Sequence, residues 1–151
     1  MTKVYDSTTG EEKYFVVQKL KKFILVVSII FIMFLLFSGR VWAFSGGDGT
    51  SENPYQISTP EELNDVRNNL SSHFVLINDI DLTEYLSGYE NGWIPIGDSI
   101  TPFAGTFDGQ NHIITGLIID RPLNEFVGLF SCTSRTAEIS KVGLTDVNIT
   151  G

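Results

Sequence analysis

Cysteine and histidine are almost absent from the sequence, which has one cysteine and two histidines in 151 residues. Because Cys132 stands alone, no internal disulfide can form. Neither His73 nor His112 has the neighbouring glutamate of an H-E-x-x-H zinc site. A G-x-S-x-G nucleophile elbow and a C-x-x-C pair are also missing. The sequence therefore predicts no metal site, no cofactor and no catalytic residue.

Positive charge is scarce in the part of the chain after Ala43. That part holds 4 Lys and Arg residues against 15 Asp and Glu residues, so its net charge is 4 − 15 = −11. Such a surface repels nucleic acids and anionic lipids, and we expect no nucleic-acid partner. The acids do not follow the spacing of an EF-hand loop or of a calcium-binding nonapeptide repeat. The four cations are Arg67, Arg121, Arg135 and Lys141.

One long hydrophobic run, FILVVSIIFIMFLLF, covers residues 23–37 and directly follows Lys21 and Lys22. A basic flank, a short apolar run and the small residue Ala43 are typical of a secretory signal that is cleaved after Ala43. The run is shorter than the roughly 20 apolar residues that a transmembrane helix needs. An uncleaved membrane anchor is the alternative, because further apolar residues continue the segment to position 43.

The segment before the hydrophobic run, residues 1–22, is mixed in charge and is predicted to be a cytoplasmic leader. It is longer than a usual basic leader, so a second hypothesis is that translation begins at Leu20. In both cases the membrane is contacted only through residues 23–43.

A turn-rich segment and one helix open the exported part, over residues 44–72. Thr59 and Glu62 have the spacing of a capping box, with a proline at the first helical position between them. We predict a helix over residues 59–70 that covers the first coil of the structure after it. The apolar stripe of this helix comprises Leu63, Val66 and Leu70.

The rest of the chain, residues 73–151, repeats one short pattern three times. The pattern is I-x-x-I-x-L, with Val or Ile in some of its apolar positions, and its second and third copies begin at Ile114 and Ile139 (139 − 114 = 25). This period predicts a solenoid of short strands in which equivalent positions stack in the interior through parallel ladders. A small antiparallel sandwich is the alternative fold. The predicted interior positions are Ile77, Ile80 and Leu82, then Ile114, Leu117 and Ile119, and finally Ile139, Val142 and Leu144.

The stretch TPFAGTFDGQNHIITGLIID, residues 101–120, places Asp108, Gly109 and His112 between two apolar runs. An aspartate and a histidine four positions apart could serve a metal site or acid–base catalysis. The same residues suit a tight turn, because Asp can bond back to the backbone and Gly accepts a positive φ. We favour the turn, since polar side chains in such turns are usually satisfied by local backbone groups.

Longer strings of the exported part are distinctive enough to compare with known families. The strings NPYQISTPEELNDV, FVLINDIDLT, WIPIG and PFAGTFDGQNHIITGLII, within the region from Phe44 to the end, resemble the GLUG-motif group of bacterial and archaeal surface proteins. Gly128, Leu129 and Phe130 supply the first three motif positions, whereas Ser131 replaces the final glycine. The resemblance implies a mainly β fold, namely a right-handed parallel β-helix with one N-terminal capping α-helix, in extracellular adhesin-like proteins. Here that fold would follow the apolar signal or transmembrane helix.

These observations predict an exported structural or adhesive β-helix segment, secreted or held at the cell surface, with no catalytic role. The alternative is a carbohydrate-active β-helix, either a polysaccharide lyase or a glycan-binding module, because lyases use the same architecture. The expected partners are an extracellular protein or a glycan. The sequence ends on Val147 and Ile149, which alternate as in a strand, with no cap after them. We therefore expect an incomplete piece of a longer protein that self-associates through its open C-terminal coil.

Overall fold

A computed structural model of the chain describes residue 8, residues 20–28 and residues 44–151. The chain divides into two compact units, Met1–Val41 and Trp42–Gly151. In the first unit residues 20–28 are helical. No helix among the described residues has both the length and the apolar character to span a bilayer. The predicted cleavage site at Ala43 and most of the predicted apolar segment lie outside the described residues.

The second unit consists mainly of short strands, with few helical residues. Turns rich in Gly, Asn and Asp separate the strands, and each strand is only two to four residues long. The strands are β1 (Tyr55–Ile57), β2 (His73–Leu76), β3 (Ile80–Asp81), β4 (Thr106–Asp108), β5 (Ile113–Thr115), β6 (Ile118–Asp120), β7 (Glu138–Ser140), β8 (Gly143–Thr145) and β9 (Asn148–Thr150). The helices are α1 (Pro60–Asp65) and α2 (Thr83–Leu86), and a 3₁₀ turn covers Val66–Asn68.

Three parallel sheets are built from these strands. Their strand orders are β1-β2-β4-β7, β3-β5-β8 and β6-β9. Every pairing between these named strands is parallel. Strands β4, β5 and β6 lie in the first, second and third sheet, and β7, β8 and β9 lie in the three sheets in the same order. Each of the last three strands therefore pairs with a strand from earlier in the chain.

Helix α1 begins at a fully formed capping box. The Thr59 hydroxyl accepts a hydrogen bond from the amide of Glu62, and the Glu62 carboxylate accepts one from the amide of Thr59. Leu63 and Val66 are completely buried. The helix is shorter than the predicted span of residues 59–70, because the chain tightens into the 3₁₀ turn after Asp65.

The core lies between the three sheets and is filled by side chains that alternate inward along each strand. In the four-stranded sheet, Phe74 aligns with Phe107, which aligns with Ile139. In the three-stranded sheet, Ile80 aligns with Ile114, which aligns with Leu144. Stacked rows of apolar side chains therefore hold successive strands in register.

The predicted repeat spacing, which equated Ile114 with Ile139, is wrong. In the structure Ile80 aligns with Ile114 (114 − 80 = 34), and Ile114 aligns with Leu144 (144 − 114 = 30). Ile139 lies in β7 and aligns with Phe107 instead. Because the strands are so short, the apolar pattern can be matched at several offsets, and the intervening turns vary in length.

Three of the nine predicted interior positions are exposed. Ile77 is 36% exposed because it follows the buried Leu76, and side chains alternate between the two faces of a strand. Ile139 and Leu144 are 38% and 42% exposed, since β7 and β8 have a neighbouring strand on one side only. Val142 is half-buried against the core. The other five predicted positions are buried: Ile80, Leu82, Ile114, Leu117 and Ile119.

Two elements differ from the sequence-based expectations. Strand β1 lies in the segment predicted to be turn-rich, and it pairs with β2 from Tyr55 to Ile57. Helix α2 interrupts a region expected to contain strands and turns alone. The carboxylate of Asp81 accepts a hydrogen bond from the amide of Thr83 at 2.8 Å, where this helix begins.

Candidate functional site

The turn that joins β4 to β5 holds the Asp, Gly and His of the 101–120 stretch. Asp108 Oδ1 accepts a hydrogen bond from the amide of Gln110 at 3.0 Å, and the amide of His112 donates to the Gly109 carbonyl at 2.8 Å. The positive φ angles belong to Gln110 (48°) and Asn111 (68°) rather than to Gly109. The expectation that Gly109 supplies a positive φ is therefore wrong, and its role is close approach to Lys141 and Val142.

His112 lies apart from Asp108 and pairs with a different carboxylate. Its Nδ1 is 3.0 Å from Asp79 Oδ1, which also accepts from the amide of Ile113 at 2.9 Å. The bond from the Ile113 amide, with that from His112, lowers the pKa of Asp79. Asp79 therefore ties the end of the β2–β3 connection to β5.

A first cleft, of about 420 Å³, runs over the outer face of β2, β4 and β7. His73 aligns with Thr106 and Thr106 with Glu138, and His73 Nδ1 is 2.8 Å from the Thr106 hydroxyl. Lys141 Nζ lies 3.2 Å from Asp108 Oδ2. The hydrogen bond from the Gln110 amide, followed by that from Lys141, lowers the pKa of Asp108. This face offers carboxylate, hydroxyl, imidazole and ammonium groups in rows set by the parallel register.

A second cleft, of about 430 Å³, lies beside the 3₁₀ turn. Its lining combines the cation Arg67 with polar and apolar side chains of two loops. Ile94 and Phe126 on its rim are 53% and 54% exposed. The polar lining side chains include Asn68, Asp98, Thr101, Asn124 and Ser131.

Arg67 is held in place by two hydrogen bonds of its guanidinium and by the ring of Trp93. Its carbon Cζ lies 5.2 Å from the centroid of the Trp93 ring, at a distance suited to a cation–π contact. Its Nε donates to the Asn64 carbonyl at 2.9 Å and its Nη2 to the Ile94 carbonyl at 2.8 Å. Burial, with a smaller contribution from nearby Arg121, lowers the pKa of Arg67.

The GLUG-like residues lie behind this cleft and have a structural role. Leu129 is 6% exposed, and its carbonyl accepts from the buried Trp93 indole at 3.1 Å and from the amide of Ile96 at 3.0 Å. Phe130 forms a parallel bridge with Ile96. Leu129 and Phe130 thus join the loop after β6 to the loop that contains Trp93.

Metal-ligating groups do not gather anywhere in the described part of the chain: no three His, Cys, Asp or Glu side chains there could hold an ion together. Sequence reasoning missed Arg67 and Trp93 as partners. Trp93 is 1% exposed and lies far along the chain from Arg67, so no local pattern links the two residues. The sequence feature that could have drawn attention to Arg67 is the small number of cations after Ala43.

The fold and the two clefts define a mainly β protein of stacked parallel strands with polar side chains on its outer faces. No protein-family model and no solved structure matches the chain. It is 39% identical over 130 residues to a "Putative Gly-rich membrane protein" of Evansella cellulosilytica, and the match covers 82% of this chain and 15% of that protein. It is 32% identical over 114 residues to Halomucin of Haloquadratum walsbyi, covering 70% of this chain and 1% of Halomucin. The chain therefore spans only a small part of the length of either relative.

Proposed function

We propose that this chain is an exported, right-handed parallel β-helix segment of a membrane-associated or surface protein, with a structural and adhesive role and no catalytic role. The observation that carries the proposal is the parallel register of successive strands in three separate sheets. Stacked coils of this kind form a rigid rod whose outer faces can carry binding groups. The GLUG-like residues 128–130 would then mark a turn between coils.

Charge and relatives support the same proposal. The net charge of −11 after Ala43 suits solubility outside the cell and disfavours nucleic acids as partners. One relative is named as a membrane protein, and this chain matches only a short part of both relatives. A repeated structural module inside much longer surface proteins would give such matches. We propose an extracellular protein or a glycan as its partner, and self-association through β7, β8 and β9 belongs to the same proposal.

The proposal is tested by expressing the full chain with a C-terminal epitope tag in a bacterial host. We expect the tag to be accessible to antibody and to added protease on intact cells, or to be found in the medium. N-terminal sequencing separates a cleaved product beginning at Phe44 from an anchored chain. A cytoplasmic marker protein, protected in the same cells, is the control. A tag that becomes accessible only after lysis would contradict the proposal.

The first cleft favours a second candidate, a carbohydrate-active β-helix. Asp108 and Glu138 lie on the same outer face of neighbouring strands, offset by two residues. Two carboxylates on one face are the minimum that glycoside hydrolysis requires. The test is an assay for new reducing or unsaturated ends in neutral and acidic polysaccharides, with and without calcium. Turnover that is lost in both Asp108→Asn and Glu138→Gln would establish this candidate in place of the non-catalytic one.

A further inference from the structure

We propose that the second cleft binds a single uronate unit of an otherwise neutral glycan, with Arg67 holding the sugar carboxylate. This inference rests on the proposed adhesive function, because it assigns a ligand class to the segment's surface. Bidentate pairing with carboxylates is the characteristic chemistry of a guanidinium.

The first argument is that Arg67 has no carboxylate in direct contact, although acids greatly outnumber cations in its unit. Within the described residues, no carboxylate oxygen lies within 4.0 Å of Arg67 or of Arg121. Asp65 acts on Arg67 electrostatically from farther away, while its Oδ1 accepts a hydrogen bond from the side-chain amide of Asn68. A half-buried guanidinium with no carboxylate in direct contact can accept one from a ligand.

The second argument is that the guanidinium is oriented before any ligand arrives. The Asn64 and Ile94 carbonyls fix two of its nitrogens, and the Trp93 ring lies against one face. Nη1 makes no hydrogen bond within the described residues, so it is left to donate into the cleft. A preorganised donor loses little freedom on binding, which favours affinity.

The third argument is that the rest of the lining matches a pyranose ring. The exposed face of Phe126 can pack against the C–H face of a sugar, while Asn68 and Asn124 can bond its hydroxyls. Asp98 also lines the cleft, and its Oδ1 is already held by the amides of its own loop. Its other oxygen can accept from a sugar hydroxyl, but it repels a second acidic group. One carboxylate beside several hydroxyls is the pattern of a uronate rather than of a polyacidic peptide.

The experiment measures binding of a labelled galactose oligosaccharide that carries one galacturonate unit to the full chain by fluorescence anisotropy, with neutral oligogalactose and poly-glutamate as competitors. The variants are Arg67→Gln, Arg67→Lys and Phe126→Ala. The matched control is Arg135→Gln, which removes the same charge from an exposed arginine outside the cleft. Thermal melts verify that each variant is folded.

We expect the oligosaccharide with one galacturonate unit to bind, and Arg67→Gln and Phe126→Ala each to weaken binding at least tenfold, while Arg135→Gln changes it less than twofold. Arg67→Lys should fall between these limits because it keeps the charge and loses the fork. Absence of binding, an equal loss in Arg135→Gln, or equal competition by neutral sugar or by poly-glutamate would overturn the inference. Surface display of the same variants is measured in parallel. If the chain is exposed on intact cells but does not bind the glycan, only the ligand assigned to the cleft is wrong. If the chain is not exposed on intact cells, the proposed function itself is wrong.

Discussion

Gly109 lies directly against Val142, so closely that a Cβ added to the glycine would be 2.6 Å from Val142 Cα. The amide of Gly109 also donates to the Ser140 carbonyl at 2.8 Å. The turn after β4 therefore lies close against the chain between β7 and β8 at a position where the turn has no side chain. Any side chain at position 109 would push these two neighbouring segments apart.

The first prediction is that Gly109→Ala destabilises the fold by about 2 kcal/mol or more, because the backbone it meets cannot move aside without disturbing the pairing of β4 with β7. Gly88→Ala is the matched control, since nothing lies within 4 Å of a Cβ at that position. We expect the control to change stability by less than about 1 kcal/mol. Urea denaturation of both variants gives the comparison, and equal midpoints would show that the close approach is absent.

The second prediction concerns register. Thr115 pairs with Thr145, and their hydroxyl oxygens are 2.9 Å apart. A Thr115→Cys, Thr145→Cys double variant, made with Cys132→Ser, should form an intramolecular disulfide under mild oxidation. The control pair is Thr115→Cys with Ser140→Cys, which the repeat spacing predicted from the sequence would align. Ser140 pairs with Asp108 in another sheet, so the control should stay reduced. Cross-linking of the control in preference to the first pair would refute the observed register.

The class of fold could be predicted from the sequence better than its register. A capping box is a local signal, and Thr59 and Glu62 form it within one turn of chain. The register depends on turns of unequal length. It pairs Ile139 with Phe107 and not with Ile114. The apolar pattern of a strand of two to four residues is too short to determine the register, because a shifted alignment buries apolar residues nearly as well.

The clefts are less predictable than the core. Turn chemistry at Asp108 could be inferred because its partner, the Gln110 amide, is two residues away. Arg67 instead contacts Trp93 and Ile94, which are close to it only after the chain has passed through β2, β3 and α2. Contacts between residues so far apart in the sequence depend on how the strands stack, so they are seen only in the structure.

The third prediction compares a substitution in the core with one in the turn after β4. Leu117 is completely buried, so Leu117→Asp should destabilise the fold by more than about 3 kcal/mol by placing a carboxylate among apolar side chains. His112→Ala should cost less than about 1 kcal/mol, since it removes one exposed contact with Asp79. Thermal melts of the two variants provide the measurement. A larger loss from His112→Ala would give the histidine a role beyond the turn.

The fourth prediction is that falling pH first leaves the protein as stable or slightly more stable and then destabilises it, because the pKa values of its aspartates are shifted in opposite directions. Hydrogen bonds from backbone amides and hydroxyls lower the pKa values of a group of exposed aspartates. Burial raises the pKa of Asp65, which is 5% exposed. The exposed group comprises Asp48, Asp79, Asp81 and Asp98. Hydrogen bonds lower the pKa of the half-buried Asp108 in the same way.

The lowered pKa values stabilise the fold above the ordinary Asp value of 3.8, and this stability is lost as the pH falls below 3.8 through the folded values. Asp65 acts oppositely: its contribution is full below 3.8 and is lost as the pH rises through its raised pKa. Melting temperatures measured from pH 7 downward should therefore hold or rise slightly toward 3.8 and then fall steeply. Asp65→Asn should abolish the rise, because the amide keeps an acceptor for Asn68 without a proton to gain. Asp98→Asn should make the fall shallower, since the three donors in its loop no longer favour a charge there. A fall of the same steepness in Asp98→Asn would show that these loop aspartates do not control acid stability.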